Sequence, residues 1–288
     1  MPELPEVEVV RRGLDDYVSG HRVVSAEVLH PRAARHTPGG GQELARALRG
    51  SRILGTGRRG KFLWLELSGH AALQVHLGMS GQMLIKDANA TPENSGTTHL
   101  RARLELDTGD QVWFVDQRTF GYWRYEPLVA DQWGSGVIPA CAAHIAPDPF
   151  DEHCDLAAAA TRIKAKKTEL KRVLLDQTVI SGFGNIYADE TLWRAQLHPR
   201  QRADRVSQVR LEELLDAGRD VMAHALEQGG TSFDALYVNV NGQSGYFDRS
   251  LNAYGQDGRP CRRCGTLLVR EQFMGRSSHF CPHCQRRY

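Results

Sequence analysis

Four cysteines near the C-terminus, Cys261-x2-Cys264 and Cys281-x2-Cys284 separated by sixteen residues, constrain this chain more than any other feature. Each x2 spacing lets two sulfurs reach one tetrahedral ion, so the quartet has the spacing of a four-thiolate zinc site. Four thiolates leave no open coordination position, so one structural Zn2+ is expected. The stretches Thr266 to Arg270 and Gln272 to Phe280 read as a hairpin between the two knuckles. A disulfide pair is the competing interpretation, but C-x2-C makes a poor structural disulfide and the N-terminus has no signal-peptide pattern. Cys141 and Cys154 lie outside the spacing and read as ordinary thiols.

Length and composition fit a two-domain protein with a sizeable core: 288 residues, 41% hydrophobic and 24% charged. No run approaches the ~18 apolar residues of a membrane helix, so the expectation is a cytoplasmic, non-membrane protein. The net charge is only +2, from 36 Lys and Arg against 34 Asp and Glu. Its distribution is more informative. Residues 259–288 hold seven arginines against one acid, Glu271, and residues 162–172 hold six cations against one, Glu169. Charge runs are commonly solvated faces, but two of them, one beside a metal motif, favour contact with phosphates.

The hydrophobic period changes along the chain. Val7, Val10, Leu14 and Val18 recur at helical spacing, predicting a helix over 5–18. From about 22 to 127 the pattern is that of strands. Leu100, Ala102, Leu104 and Leu106 alternate with polar residues, and 52–67 and 73–85 read as further strands around the turn at 68–70. The polar stretch 87–96 reads as a mobile loop, and 134–154, rich in Gly and Pro, as a linker. Helical patterns follow over 156–164, 167–175, 188–195 and 205–228. Between them Ser181-Gly182-Phe183-Gly184-Asn185 is a tight glycine turn able to show backbone N–H groups to a phosphate, or a plain helix–helix turn. Residues 228–246 read as a flexible lid or simple loop. There is no internal repeat.

The extreme N-terminus carries candidate chemistry. If Met1 is removed, as a small second residue permits, Pro2 becomes a secondary amine. Such an amine titrates near pH ~8, leaving a reactive fraction at neutral pH to form a Schiff base. Glu3 beside it could act as an acid or base. The same residues, Pro5 and Glu6 among them, also suit an ordinary helix start.

Six motifs in order decide between these readings: Pro2-Glu3-Leu4-Pro5-Glu6-Val7-Glu8, Gly60-Lys61, His76-Leu77-Gly78-Met79-Ser80-Gly81, Asp116-Gln117-Arg118-Thr119-Phe120-Gly121, Gly184-Asn185-Ile186-Tyr187-Ala188 and the cysteine quartet. Together, from residue 2 to about 286, they resemble the formamidopyrimidine-DNA glycosylase family. The resemblance implies an α+β fold: an N-terminal helix plus β-sandwich catalytic domain (1–133), the linker (134–154), a helix-two-turn-helix DNA-binding domain with its flexible loop (155–258), and a zinc-finger hairpin (259–288).

The resemblance also implies roles. Pro2 matches the nucleophile at C1′ of the damaged nucleoside, Glu3 the acid/base for sugar-ring opening, and Lys61 the essential hairpin lysine. Arg276, five residues before Cys281, matches the finger arginine that grips phosphates beside the lesion and serves the later elimination. Met79, Arg118 and Phe120 match the residues that fill the stack vacated by an everted base, with Arg118 facing the orphaned cytosine. His99, Lys171 and Asn185 match phosphate contacts, and Lys167 joins them. The activity implied is that of a DNA glycosylase and AP lyase for oxidised purines in duplex DNA, with no catalytic metal; a monomer is expected because no segment reads as an oligomer seam. The related endonuclease VIII branch, acting on oxidised pyrimidines, and a non-catalytic zinc-finger DNA-binding protein are the alternatives. Leu4 and the Arg118-x-Phe120 pair favour the purine enzyme.

Overall fold

Glu3 and Glu6 start the first helix by exchanging hydrogen bonds: the Glu3 side chain accepts the Glu6 backbone N–H, and Glu6 accepts the Glu3 N–H at 2.9 Å. This capping box satisfies two otherwise orphaned donors and fixes where the chain enters helix α1, Leu4–Val18. The computed structural model describes residues 2–93, 95, 97–134, 136–230, 240–241 and 250–287. Of the expected lid or loop at 228–246, residues 231–239 and 242–246 therefore lie outside the described residues. Two compact units divide the chain: Met1–Ala143 with Gly229–Tyr246, and His144–Gln228 with Phe247–Tyr288.

The first unit is a β-sandwich. Its strands are β1 (Val23–Val28), β2 (Ile53–Arg59), β3 (Phe62–Leu67), β4 (Ala71–His76), β5 (Gly81–Lys86), β6 (Leu100–Leu106), β7 (Gln111–Asp116), β8 (Tyr122–Ala130) and β9 (Val137–Pro139), with helix α2 (Gly40–Leu48) after β1. One sheet has the order β1-β6-β7-β5 and the other β2-β3-β4-β8-β9. Alternate residues of both sheets (Leu63, Leu65, Leu73 and Val75; Ala102, Leu104, Val112 and Phe114) join Val7, Val10 and Leu14 of α1 in one buried cluster. Burying apolar area at ~25 cal/mol per Å2 makes this period-two alternation the main determinant of strand register.

Two expected strands prove to be pairs. Residues 52–67 fold back at Gly60-Lys61 into β2 and β3, antiparallel with Arg59 opposite Phe62. Residues 73–85 divide at the Leu77–Ser80 turn, and the halves join different sheets, β4 pairing with β8 and β5 with β7. The turn thus crosses from one layer of the sandwich to the other. Residues 137–139, within the expected linker, pair with β8.

The second unit contains α3 (Leu156–Lys164), α4 (Leu170–Leu174), α5 (Asn185–Arg194) and α6 (Gln208–Glu227), then a hairpin of β10 (Val269–Phe273) and β11 (Arg276–Phe280). Side chains of Asp155 and Ser207 cap α3 and α6. Helix α4 is shorter than its apolar pattern predicts. The preceding residues are extended instead, because Thr168 O accepts the Ala203 N–H at 2.9 Å and Leu170 donates to Gln201 O at 2.8 Å. Helix α5 begins at Asn185, three residues earlier than expected, with Gly184 as its cap. No helix among the described residues is long and apolar enough to cross a membrane.

Candidate functional site

The site residues fall on both units. In the first, Pro2, immediately before α1, lines a small pocket with Val7, Lys61, His76, Leu77 and Gly78. Three separate sequence motifs meet there: the chain start, the β2–β3 turn and the end of β4. Pro2 and Glu3 are both buried. An ion cluster ties α1 to the end of β2. Glu8 on α1 accepts hydrogen bonds from Arg11, Arg12 and Arg58, and Arg58 also donates to Gly60 O at 2.9 Å, one residue before Lys61. Burial pushes the Glu8 carboxyl up, but the hydrogen bonds and the Arg58 charge outweigh it and hold the group at about 2.

His76 is the pocket residue to which sequence reasoning assigned no role. Burial, with Arg35, His36 and Lys61 nearby, pushes its imidazole down to about 4, so it is neutral at neutral pH. Its Nδ1 accepts the Gly78 N–H at 3.1 Å, which leaves Nε2 as the protonated nitrogen. His76 thus lines the pocket as a neutral imidazole beside Pro2 and Lys61.

Met79, Arg118 and Phe120 are all exposed, Met79 by 38% and Phe120 by 47%. The two apolar side chains stand outside the core on adjoining turns. The turns are welded together beneath them. Fully buried Asp116 accepts the Ser80 hydroxyl, the Arg118 N–H at 3.1 Å and the Gly121 N–H at 2.7 Å. Gly78 (φ +63°) and Gly121 permit the approach: a Cβ on Gly78 would sit 2.6 Å from the Gly121 nitrogen. His99 is half-buried, beside Arg101 at 3.1 Å.

In the second unit Lys167 and Arg276 are exposed. Arg276 is the first residue of β11, beyond a two-residue turn in which Met274 and Gly275 both have positive φ. Asn185 Nδ2 donates to the Ser277 carbonyl at 2.9 Å. Lys171 is placed differently from the expectation of a direct phosphate contact. It is fully buried, its Nζ 2.6 Å from Asp189 Oδ1 and 3.0 Å from Ser277 O. Asp189 also accepts from Ser278 Oγ and the His279 N–H, so α4 and α5 hold β11 right beside Arg276. No local pattern marks Asp189; its lysine partner is visible only once the helices are packed.

The cysteine quartet converges. All four Sγ atoms lie within 4.8 Å of one another. Zn–S bonds of about 2.3 Å in a tetrahedron require S···S separations of about 3.8 Å, so the donor set and its spacing fit one Zn2+. The Trp193 indole N–H lies 3.4 Å from Cys261 Sγ and ties the knuckle to α5.

Comparison with known proteins gives the same architecture. The formamidopyrimidine-DNA glycosylase N-terminal domain model matches residues 1–123, its H2TH domain model residues 145–235, and the zinc finger found in FPG and IleRS residues 258–287. A formamidopyrimidine-DNA glycosylase of Corynebacterium glutamicum is 61% identical over 295 residues, covering 100% of both chains. The chain belongs to the formamidopyrimidine-DNA glycosylase family. The enzyme of that name from Corynebacterium efficiens is 59% identical over 99% of each chain. Among solved members of the family, a mutant Lactococcus lactis enzyme in complex with DNA containing Fapy-dG superposes with a TM-score of 0.84 at 30% identity, covering 99% of this chain and 100% of that one. MutM in complex with DNA containing carbocyclic 8-oxo-G gives 0.83 at 31% identity, with the same coverage. The expected α+β architecture and family membership thus hold, and the zinc site has the donor set the family's finger requires.

Proposed function

We propose that the protein is a bifunctional DNA glycosylase and AP lyase that removes oxidised purines, 8-oxoguanine and formamidopyrimidines, from duplex DNA. The convergence of Pro2, Lys61 and His76 on one pocket carries this reading, because it sets the residue that becomes the terminal amine on Met1 removal beside a lysine and an imidazole. Full-length likeness to the Corynebacterium enzymes supports it.

Removal of Met1 frees the Pro2 secondary amine. Its lone pair forms the bond to C1′ as the N-glycosidic bond breaks, and the base leaves with the bonding pair and takes up a proton. Ring opening, assisted by Glu3 at the sugar oxygen, leaves an iminium on Pro2. This electron sink acidifies the C2′ proton; its loss expels the 3′-phosphate, and a second elimination expels the 5′-phosphate. Lys61 and Arg276 supply cations for the phosphates flanking the lesion, which favours departure of those leaving groups.

Recognition precedes chemistry. A base inside a duplex must be everted before its C1′ is accessible, and Met79, Arg118 and Phe120 are the side chains assigned to fill the gap, Arg118 against the orphaned cytosine. His99, Lys167 and Asn185 are assigned to phosphates, and Lys171 to holding β11 rather than touching DNA. The zinc ion, held by Cys261, Cys264, Cys281 and Cys284, supplies no step of the reaction; it fixes the hairpin that bears Arg276. We place the protein in the bacterial cytoplasm, on the nucleoid through its affinity for DNA, as a monomer.

Incubation with a duplex carrying 8-oxoguanine opposite cytosine tests the reading. Base release followed by strand cutting on both sides of the lost sugar is expected, and protein whose Pro2 amine is blocked by acetylation should bind the duplex while losing both. Release of an oxidised pyrimidine but not of 8-oxoguanine would move the protein to the endonuclease VIII branch.

A further inference from the structure

The loop carrying Arg118 and Phe120 is held from two sides, and only one of them is Asp116. On the other side lies Arg35, in the connection between β1 and α2, 85 residues away in sequence from Phe120. Its guanidinium donates to Phe120 O at 2.7 Å and to Gly121 O at 2.9 Å, a fork spanning two consecutive carbonyls. A third bond, to Arg32 O at 2.9 Å, anchors the fork to its own turn. The guanidinium carbon lies 4.5 Å from the centroid of the Tyr122 ring, and that ring stacks on His76 at 5.0 Å and 4°. His76 lines the pocket of Pro2 and Lys61.

We propose that Arg35 is a positioning residue for reading the opposite base: it fixes the backbone from which Arg118 and Phe120 project and links that backbone, through Tyr122 and His76, to the catalytic pocket. This inference rests on the reading that Arg118 and Phe120 enter the stack opposite the lesion. The Asp116 carboxylate takes the Arg118 and Gly121 N–H groups and Arg35 takes the Phe120 and Gly121 carbonyls, so side chains hold backbone groups of both polarities in the turn. Thr119 at the loop's tip has φ +54°, a conformation that costs free energy for a non-glycine residue and persists only when its surroundings hold it. Releasing the Arg35 side lets this strained turn relax. Arg118 then loses its fixed bearing on the opposite base while the pocket keeps its nucleophile. The planar fork is what matters, since a lysine has the charge but cannot bridge two carbonyls with parallel donors.

The test uses the full chain with processed N-terminus and measures single-turnover base release from 8-oxoguanine opposite cytosine and opposite adenine. Arg35→Ala should compress the cytosine-to-adenine rate ratio by about tenfold, the discrimination one good base contact carries. Arg35→Lys should fall with Arg35→Ala. Borohydride trapping on a single-stranded abasic oligonucleotide, which has no opposite base, should be unchanged in both. Three results would overturn the inference: an unchanged ratio in Arg35→Ala, full restoration by Arg35→Lys, which would make the role one of charge alone, or loss of single-strand trapping, which would make it general folding. Arg118→Ala is the companion variant. If it collapses the ratio while Arg35→Ala does not, the inference fails and the opposite-base reading stands; if it leaves the ratio intact, that reading falls and takes the Arg35 inference with it.

Discussion

Lys171 and Asp189 form an ion pair of 2.6 Å in which neither side chain is exposed to solvent. The same carboxylate accepts from Ser278 and His279, so the pair fastens the zinc-bearing hairpin to α5 at the residues next to Arg276. Lys171→Met leaves a buried carboxylate without its cation. The cost expected is about 3–5 kcal/mol, read from urea denaturation. A Lys171→Met/Asp189→Leu double variant should recover much of it, because no charge is then stranded.

Salt dependence separates this holding role from phosphate contact. Each neutralised phosphate contributes about −0.9 to the slope of log affinity against log salt, so Arg276→Ala should lower the slope by about 1 on abasic duplex, with zinc still bound. Lys171→Met, assayed in urea-free buffer where it is folded, should leave the slope unchanged. A slope change in Lys171→Met equal to that of Arg276→Ala would restore the lysine to the DNA surface.

Chelation should disorder the hairpin and weaken DNA binding, since the four converging sulfurs lose the ion that joins the two knuckles. Atomic absorption with a binding titration checks both together. Full affinity in demonstrably zinc-free protein would contradict the coupling.

Much of this was legible from residues alone, and the reason is physical. The zinc quartet is set by local spacing, α1 by its 3.6-residue period, and β6 by strict alternation, all of which are written in neighbouring residues. What was hidden depends on partners far along the chain. Residues 73–85 read as one strand in sequence, yet the Leu77–Ser80 turn divides them and carries the chain between sheets because β4 and β5 find different neighbours. The Lys167–Leu175 helix loses its first turn to pairing with residues 201–203. Lys171 reads as surface charge because it sits in a basic run; only the packing of α4 on α5 shows that it is buried against Asp189. Arg35 has no local signal at all.

The Glu8 cluster gives acid stability a definite source. The carboxyl is held at about 2, below its ordinary 4.5, so it binds fewer protons in the folded protein than in the unfolded chain. Its stabilising contribution is therefore complete above the ordinary value and is lost as pH falls from there toward about 2. Glu8→Gln should cost about 1–3 kcal/mol at neutral pH, with the difference from the parent shrinking at about pH 3. A constant difference across that window would remove Glu8 as the titrating group.

The most direct test of the central claim is borohydride reduction of the protein, its N-terminus verified by mass spectrometry, on a duplex with 8-oxoguanine opposite cytosine. A covalent DNA adduct mapped to Pro2 is expected, absent from protein that retains Met1. An adduct on Lys61 or any other residue, or trapping at full yield with Met1 in place, would contradict the Schiff-base account.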